Sequence, residues 1–336
     1  MELLPYISKW VEILLRWSHV LFAILWVGNS FLFNYLDNKL EKNTTSKEVD
    51  AGGILQHSGW FYRLERLNTA PEKFSKNLII FKWQSYLTFI TGILLLIIIY
   101  YANAKILMID ERTNENITPL MGIGISIFSI IGSWLIYNLI CKSKLINNKI
   151  IFPVIMLIIG AVISFGLTKV FGARFAFLSA GVILGCVMFF NVFFVIVPNG
   201  KNITASALDK KDFDINLSNS AKTRSIHNNI ITFLVLFIML SGHASFIWIS
   251  QYNWIILSIL AIILGLIRHY FNLRAKKKIK HPLQFVNFFP LNFWPDPKLL
   301  GILLNYSIFL LLHRLEIPKL QFLESHSPQD IYIFLL

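Results

Sequence analysis

Apolar residues in this chain gather into runs of about 20, the length an α-helix needs to cross the hydrocarbon core of a bilayer, and short polar segments separate them. Runs near 12–35, 84–101, 120–140, 151–167, 175–197, 229–249 and 253–272 predict seven spans, and a shorter, weaker run at 299–313 offers an eighth. The expected fold class is therefore all-α, a polytopic transmembrane bundle of seven to eight helices. Its membrane domain covers 1–280, and a divergent C-terminal tail, mixing Pro, Phe and Leu, covers 281–336. The first run lacks a basic n-region and a small-residue cleavage site and continues as a full-length span, so it reads as a helix and not as a cleavable signal.

Composition agrees with this pattern: 55% of the 336 residues are hydrophobic and 15% charged. The net charge of +13 changes the picture only through its placement. Lysines and arginines concentrate in 36–83, 141–150, 198–228 and the basic run 274–280, while the alternate connections carry few. Under the positive-inside rule this puts the N-terminus outside and those segments in the cytoplasm, as in a multi-pass protein of a bacterial inner membrane. Basic residues that flank membrane helices answer to the lipid bilayer, so no nucleic-acid partner is expected. The cysteines, Cys141 and Cys186, provide no disulfide framework, no zinc site and no CxxCH attachment for covalent haem c.

The histidines carry the candidate chemistry. An imidazole in hydrocarbon is costly unless it is paired or ligating. In RWSHVLFAILWVGNSF, His19 shares a helical face with Ala23, Trp26 and Ser30, and Gly28 lies opposite. His243, in MLSGHASF, falls at about the same depth, on the order of 9 Å inside the outer boundary by helix rise. Hydrogen bonding inside the bundle accounts for either histidine alone. The equal-depth pair favours bis-histidine ligation of a haem b iron, with Gly242 and Ala244 leaving room for the macrocycle. Lys169 and Arg174 read as headgroup contacts before propionate partners.

A second group faces the cytoplasmic side. His227 stands in TRSIHNNI, His269 in LIRHYFNLR, and His57 in QHSGWFYRLERL. The 16 residues from His227 to His243 span about 24 Å of helix, most of the hydrocarbon thickness, so one helix reaches both faces. His269 would serve a second, inner haem. In 36–83, Trp60, Phe61, Leu64 and Leu67 alternate with Arg63, Glu65 and Arg66 as in a short amphipathic helix at the membrane surface. At the start of the sixth span, Arg224, His227, Asn228 and Asn229 offer charge, amide donors and acceptors to a planar anion. Capping and interfacial roles suit the same residues equally.

Taken together, RWSHVLFAILWVGNSFLFNYLDNKL, HSGWFYRLER, FKWQSYLTFITG, NVFFVIVPNG, TRSIHNN and IRHYFNLR resemble the membrane domain of the bacterial membrane-bound urate oxidase (urate hydroxylase) family, over roughly 8–278. The resemblance implies an oxidoreductase that converts the purine urate to 5-hydroxyisourate and passes electrons through one or two b-type haems to cytochrome c or another respiratory acceptor. On that reading His57, Arg224, His227 and Asn228 form the catalytic set, with a histidine as proton acceptor, and His19, His243 and His269 hold cofactor. The chain departs from the family in three ways. It lacks a c-type haem motif, it has Ser179 where a histidine often stands, and its tail from about 282 is dissimilar. A non-enzymatic electron-transfer module or an inactive relative is the alternative, and a solute carrier is disfavoured because no internal repeat is evident.

Overall fold

A computed structural model describes residues 3–42, 48–67, 79–109, 116–209 and 214–275. The tail 281–336, the eighth span at 299–313 and the basic positions after Ala275 lie outside the described residues. Those described form an all-α fold, in which seven helices are long and apolar enough to cross a membrane.

Helix α1 (Leu3–Lys39) is followed by a small antiparallel sheet of β1 (Glu41–Lys42), β2 (Val49–His57) and β3 (Trp60–Leu67). Next come α2 (Trp83–Leu95), continued by a π-helical turn Leu96–Tyr101, then short α3 (Ala104–Leu107), α4 (Pro119–Lys142) and α5 (Ile151–Val170). Helix α6 (Ala173–Asn191) runs through a second π turn, Val192–Ile196, into α7 (Val197–Leu208). Helix α8 (Ile215–Leu240) ends in a 3₁₀ turn, Ser241–His243, and α9 (Ser245–Trp248) and α10 (Asn253–Ala275) complete the chain described.

Helix α6 lies at the centre. Phe175, Phe177, Val187 and Phe189 on it are all buried, and α6 packs against α2, α4, α5 and α8. Lipid tails are as apolar as these side chains, so close packing and not water exclusion must hold such helices together. Two devices supply it. Phe89 of α2 stacks on Phe189 at 3.8 Å between centroids. Gly181 lets α8 approach so closely that a Cβ there would sit 2.6 Å from Ile238 Cγ2. Helices α1 and α2 meet along a seam of small and hydroxyl residues, with Ser85, Thr88 and Thr91 buried and Gly92 against the His19 ring.

The second π turn has a local cause. Pro198 has no N–H to give the preceding turn, and its ring would crowd the carbonyl four residues back. The helix widens at Val192–Ile196 just before it, so it continues without breaking. This turn directly follows Asn191, whose side chain is fully buried.

Three sequence expectations are corrected. The amphipathic helix expected around Trp60–Leu67 is instead the second strand of a hairpin. Ser58 (φ 51°) and Gly59 (φ 83°) both adopt positive φ between the paired residues His57 and Trp60. That is the geometry of a two-residue hairpin turn, which Ser-Gly accommodates, and it overrides the helical spacing of Trp60, Phe61, Leu64 and Leu67. Arg66 bonds Asp50 of β2 at 2.6 Å and Asp37 of α1 at 3.4 Å, tying the hairpin to the helix end. Second, the segment 198–228, expected as a loop, is mostly helical, in α7 and the first turns of α8. Third, Arg224, His227, Asn228 and Asn229 do not stand at a helix start. Asp214 caps α8 by accepting from Asn216 N at 2.8 Å, nine or more residues upstream.

Candidate functional site

Five polar side chains from three helices converge where α4 ends and α5 begins. Arg224 and Asn228 lie one turn apart on α8 and are both buried. Their face meets Asn191 of α6 and Tyr137 and Asn138 of α4. Arg224 donates from its terminal nitrogens to Asn191 Oδ1 at 3.2 Å and Asn138 Oδ1 at 2.7 Å. Its guanidinium carbon lies 4.8 Å from the centre of the Tyr137 ring. Asn191 Nδ2 donates to Asn228 Oδ1 at 2.9 Å and to Tyr137 Oη at 3.0 Å. Asn228 Nδ2 closes the set on the Met188 carbonyl at 2.9 Å.

His227 joins through its Nδ1, 2.9 Å from Tyr137 Oη and 4.0 Å from Cys141 Sγ. Its ring stacks on Phe152 at 4.8 Å, tilted by 19°. One proton serves the contact between Tyr137 and His227. When it sits on Nδ1, Nε2 presents a bare lone pair.

The electrostatics follow from what is absent. Among the described residues, the ion pairs of Arg16, Arg63 and Arg66 lie elsewhere and do not reach Arg224. Its guanidinium is held by neutral amides and a ring face. Such a site gains most from an anion that can take over the amide contacts.

The other expected residues stand elsewhere. His57 is exposed at the hairpin tip, and among the described residues no hydrogen bond or ring contact joins it to the Arg224 set. His19 sits against α2, its Nδ1 2.9 Å from the Thr88 carbonyl and 3.1 Å from Thr91 Oγ1. A carbonyl only accepts, so Nδ1 carries the hydrogen and Nε2 the free lone pair. His243 is exposed in the 3₁₀ turn after α8, and His269 is exposed on α10. Among the described residues, no hydrogen bond or ring contact joins His19 to His243. Ser179, deep in α6, is buried with no partner for its hydroxyl.

Sequence reading missed Tyr137, Asn138 and Asn191. The signal was present: Asn191 interrupts the run MFFNVFF, and an amide inside a span normally marks an interhelical bond.

Seven helices apolar enough to cross a membrane, with an arginine–amide cluster buried among three of them, define the class of a multi-pass helical bundle. The Urate oxidase N-terminal family matches residues 5–292, and the chain belongs to that family. No protein of curated function and no solved structure matches it significantly.

Proposed function

We propose that this chain is the membrane part of a urate-oxidising enzyme of a bacterial inner membrane, with Arg224, Asn228 and His227 as the substrate site. The observation that carries the reading is the buried, unneutralised Arg224 among amides, in a chain of the urate oxidase N-terminal family. Urate is a planar anion rich in carbonyl and N–H groups. Its oxygens match the arginine donors and its ring edges match the Asn191 and Asn228 amides.

The reaction joins urate and water to give 5-hydroxyisourate, two protons and two electrons. His227 supplies a proton acceptor: with Nδ1–H held on Tyr137 Oη, Nε2 keeps its lone pair and takes a proton from substrate or attacking water. Tyr137 and Phe152 hold the imidazole in place. His57, at the tip of a hairpin anchored to α1, belongs to the site only if the hairpin closes over it. The electrons need a cofactor.

The candidate holder of haem b is His19. His19 donates through Nδ1 to a backbone carbonyl, an arrangement that orients a metal-binding histidine and would leave Nε2 to hold the group. His243 would help to hold the same group, and His269 would serve an inner haem. Bound there, haem would accept the electrons one at a time and deliver them to cytochrome c or another respiratory acceptor.

A non-enzymatic electron conduit is the second reading, favoured by the fact that both terminal nitrogens of Arg224 are already hydrogen-bonded. An optical difference spectrum of the detergent-purified protein, taken before and after anaerobic urate addition, separates the two. Reduced b-type bands with urate support the enzyme. Bands that appear only with dithionite leave the conduit, and a protein purified without haem overturns both.

A further inference from the structure

On the opposite face of α8 from Arg224, Arg268 of α10 lies between α1 and α8. Its guanidinium carbon is 4.5 Å from the Phe31 ring centre and 5.7 Å from that of Phe233. Those two rings stand at 87° to each other and form a corner that fixes the guanidinium plane. Nε donates to Asn229 Oδ1 at 2.7 Å. Among the described residues, the two terminal nitrogens of Arg268 have no hydrogen-bond partner and no carboxylate pairs with it.

Asn229 is 5% exposed, and its Nδ2 is buried with no partner. The amide cannot be turned round to relieve this, because Nε of Arg268 requires an acceptor and only Oδ1 is one. A buried amide donor without a partner costs about 1–3 kcal/mol. It therefore stands beside a cation whose own fork is open. Asn34 Nδ2 donates to Asn272 Oδ1 at 2.9 Å, one turn further along each helix, and clamps α1 to α10 next to this group.

We infer that Arg268 and Asn229 form a second anion site, between α1, α8 and α10, which takes an oxyanion: phosphate or carboxylate. An oxyanion accepts from both arginine terminal nitrogens and from Asn229 Nδ2, satisfying the orphan donor and the charge together. Arg268 is seven residues before the end of α10 at Ala275, about 10 Å of helix. That is a depth reached both by a lipid phosphate and by a soluble anion entering from the water. The inference is independent of what binds at Arg224.

The test uses the full chain, delipidated in an uncharged detergent, and follows its thermal unfolding midpoint during titration with inorganic phosphate, acetate or dihexanoylphosphatidylglycerol. A saturable rise with at least one of these is expected in the native protein. In Arg268→Gln and Asn229→Leu the apparent affinity should fall tenfold or more, while Lys201→Gln, at an exposed position on α7, leaves it unchanged. Arg268→Lys, which keeps the charge but loses the fork, should fall between and guards against misfolding of the other variants. A response to the lipid alone assigns the anion to a headgroup, and a response to phosphate or acetate assigns it to a soluble ligand. No saturable rise with any probe, or equal responses in native and Arg268→Gln protein, overturns the site.

Discussion

On one face of α8, Arg224 spends both terminal nitrogens on Asn138 and Asn191 and rests on the Tyr137 ring, whereas across the helix Arg268 spends only Nε, on Asn229, and rests on two phenyl rings. Both guanidiniums lie in membrane helices without a carboxylate among the described residues. The difference is in the donors. At Arg224 they are matched, so an incoming anion must exchange with asparagines that already have the right shape. That is a route to selectivity, because a ligand unable to replace those bonds leaves buried amides unpaired. At Arg268 they are open, so an oxyanion binds without displacing anything, and discrimination is weaker.

The largest effect that would sharpen this comparison is functional. Arg224→Gln is expected to slow urate-dependent haem reduction a hundredfold or more, about 3 kcal/mol at 1.4 kcal/mol per tenfold. Arg268→Gln should leave it within about threefold. Initial rates of anaerobic reduction against urate concentration decide this, and equal losses in both variants would erase the functional distinction between the faces.

A stability contrast comes next. Asn191→Leu keeps the volume but strips partners from Arg224, Asn228 and Tyr137 at once, and should cost about 3 kcal/mol. Asn229→Leu removes one bond and one orphan donor and should cost less than about 1 kcal/mol. Denaturant midpoints in detergent compare them. Near-equal costs would mean that the Asn191 network is no tighter than the open face.

The close approach that carries both faces is tested on α6. Gly181→Ala places a methyl 2.6 Å from Ile238 Cγ2 and should destabilise by about 1–3 kcal/mol through overpacking. Gly185→Ala, one turn on, meets nothing within 4 Å and should be neutral or mildly stabilising in the same unfolding assay. The smallest effect is at the shared proton. Tyr137→Phe preserves the ring beneath Arg224 but removes the hydroxyl between Asn191 and His227, with an expected cost of about 1 kcal/mol. It should also slow haem reduction at saturating urate more than it raises the urate concentration needed for half the maximal rate.

Much of this architecture is legible in the order of residues. The seven spans are, because a bilayer admits few other structures for such runs, and so is the cluster of Arg224, His227 and Asn228. The wheel on α1 also holds: Ala23, Trp26 and Ser30 are partly buried and Gly28 is exposed. What it could not supply is which helix meets which. Tyr137 and Asn191 lie 90 and 37 positions from their α8 partners, a pairing set by packing around Gly181 and Phe189 and not by local pattern. The hairpin escaped for another reason. Trp60, Phe61, Leu64 and Leu67 stand at helical spacing, and only the positive-φ Ser-Gly pair before them marks the hairpin turn.

The continuous helix from Ala173 to Leu208 has 36 residues, about 54 Å of rise. Even at a steep tilt of about 40° it covers roughly 41 Å of membrane normal, against a hydrocarbon core of about 30 Å. One end must therefore leave the hydrocarbon core, and the polar α7 end, with exposed Lys201, is the one built for it. Both native cysteines are buried, so a single thiol placed at Lys201 would report alone to a membrane-impermeant maleimide. Labelling in intact cells against inverted vesicles would then read the sidedness of the whole bundle from one position.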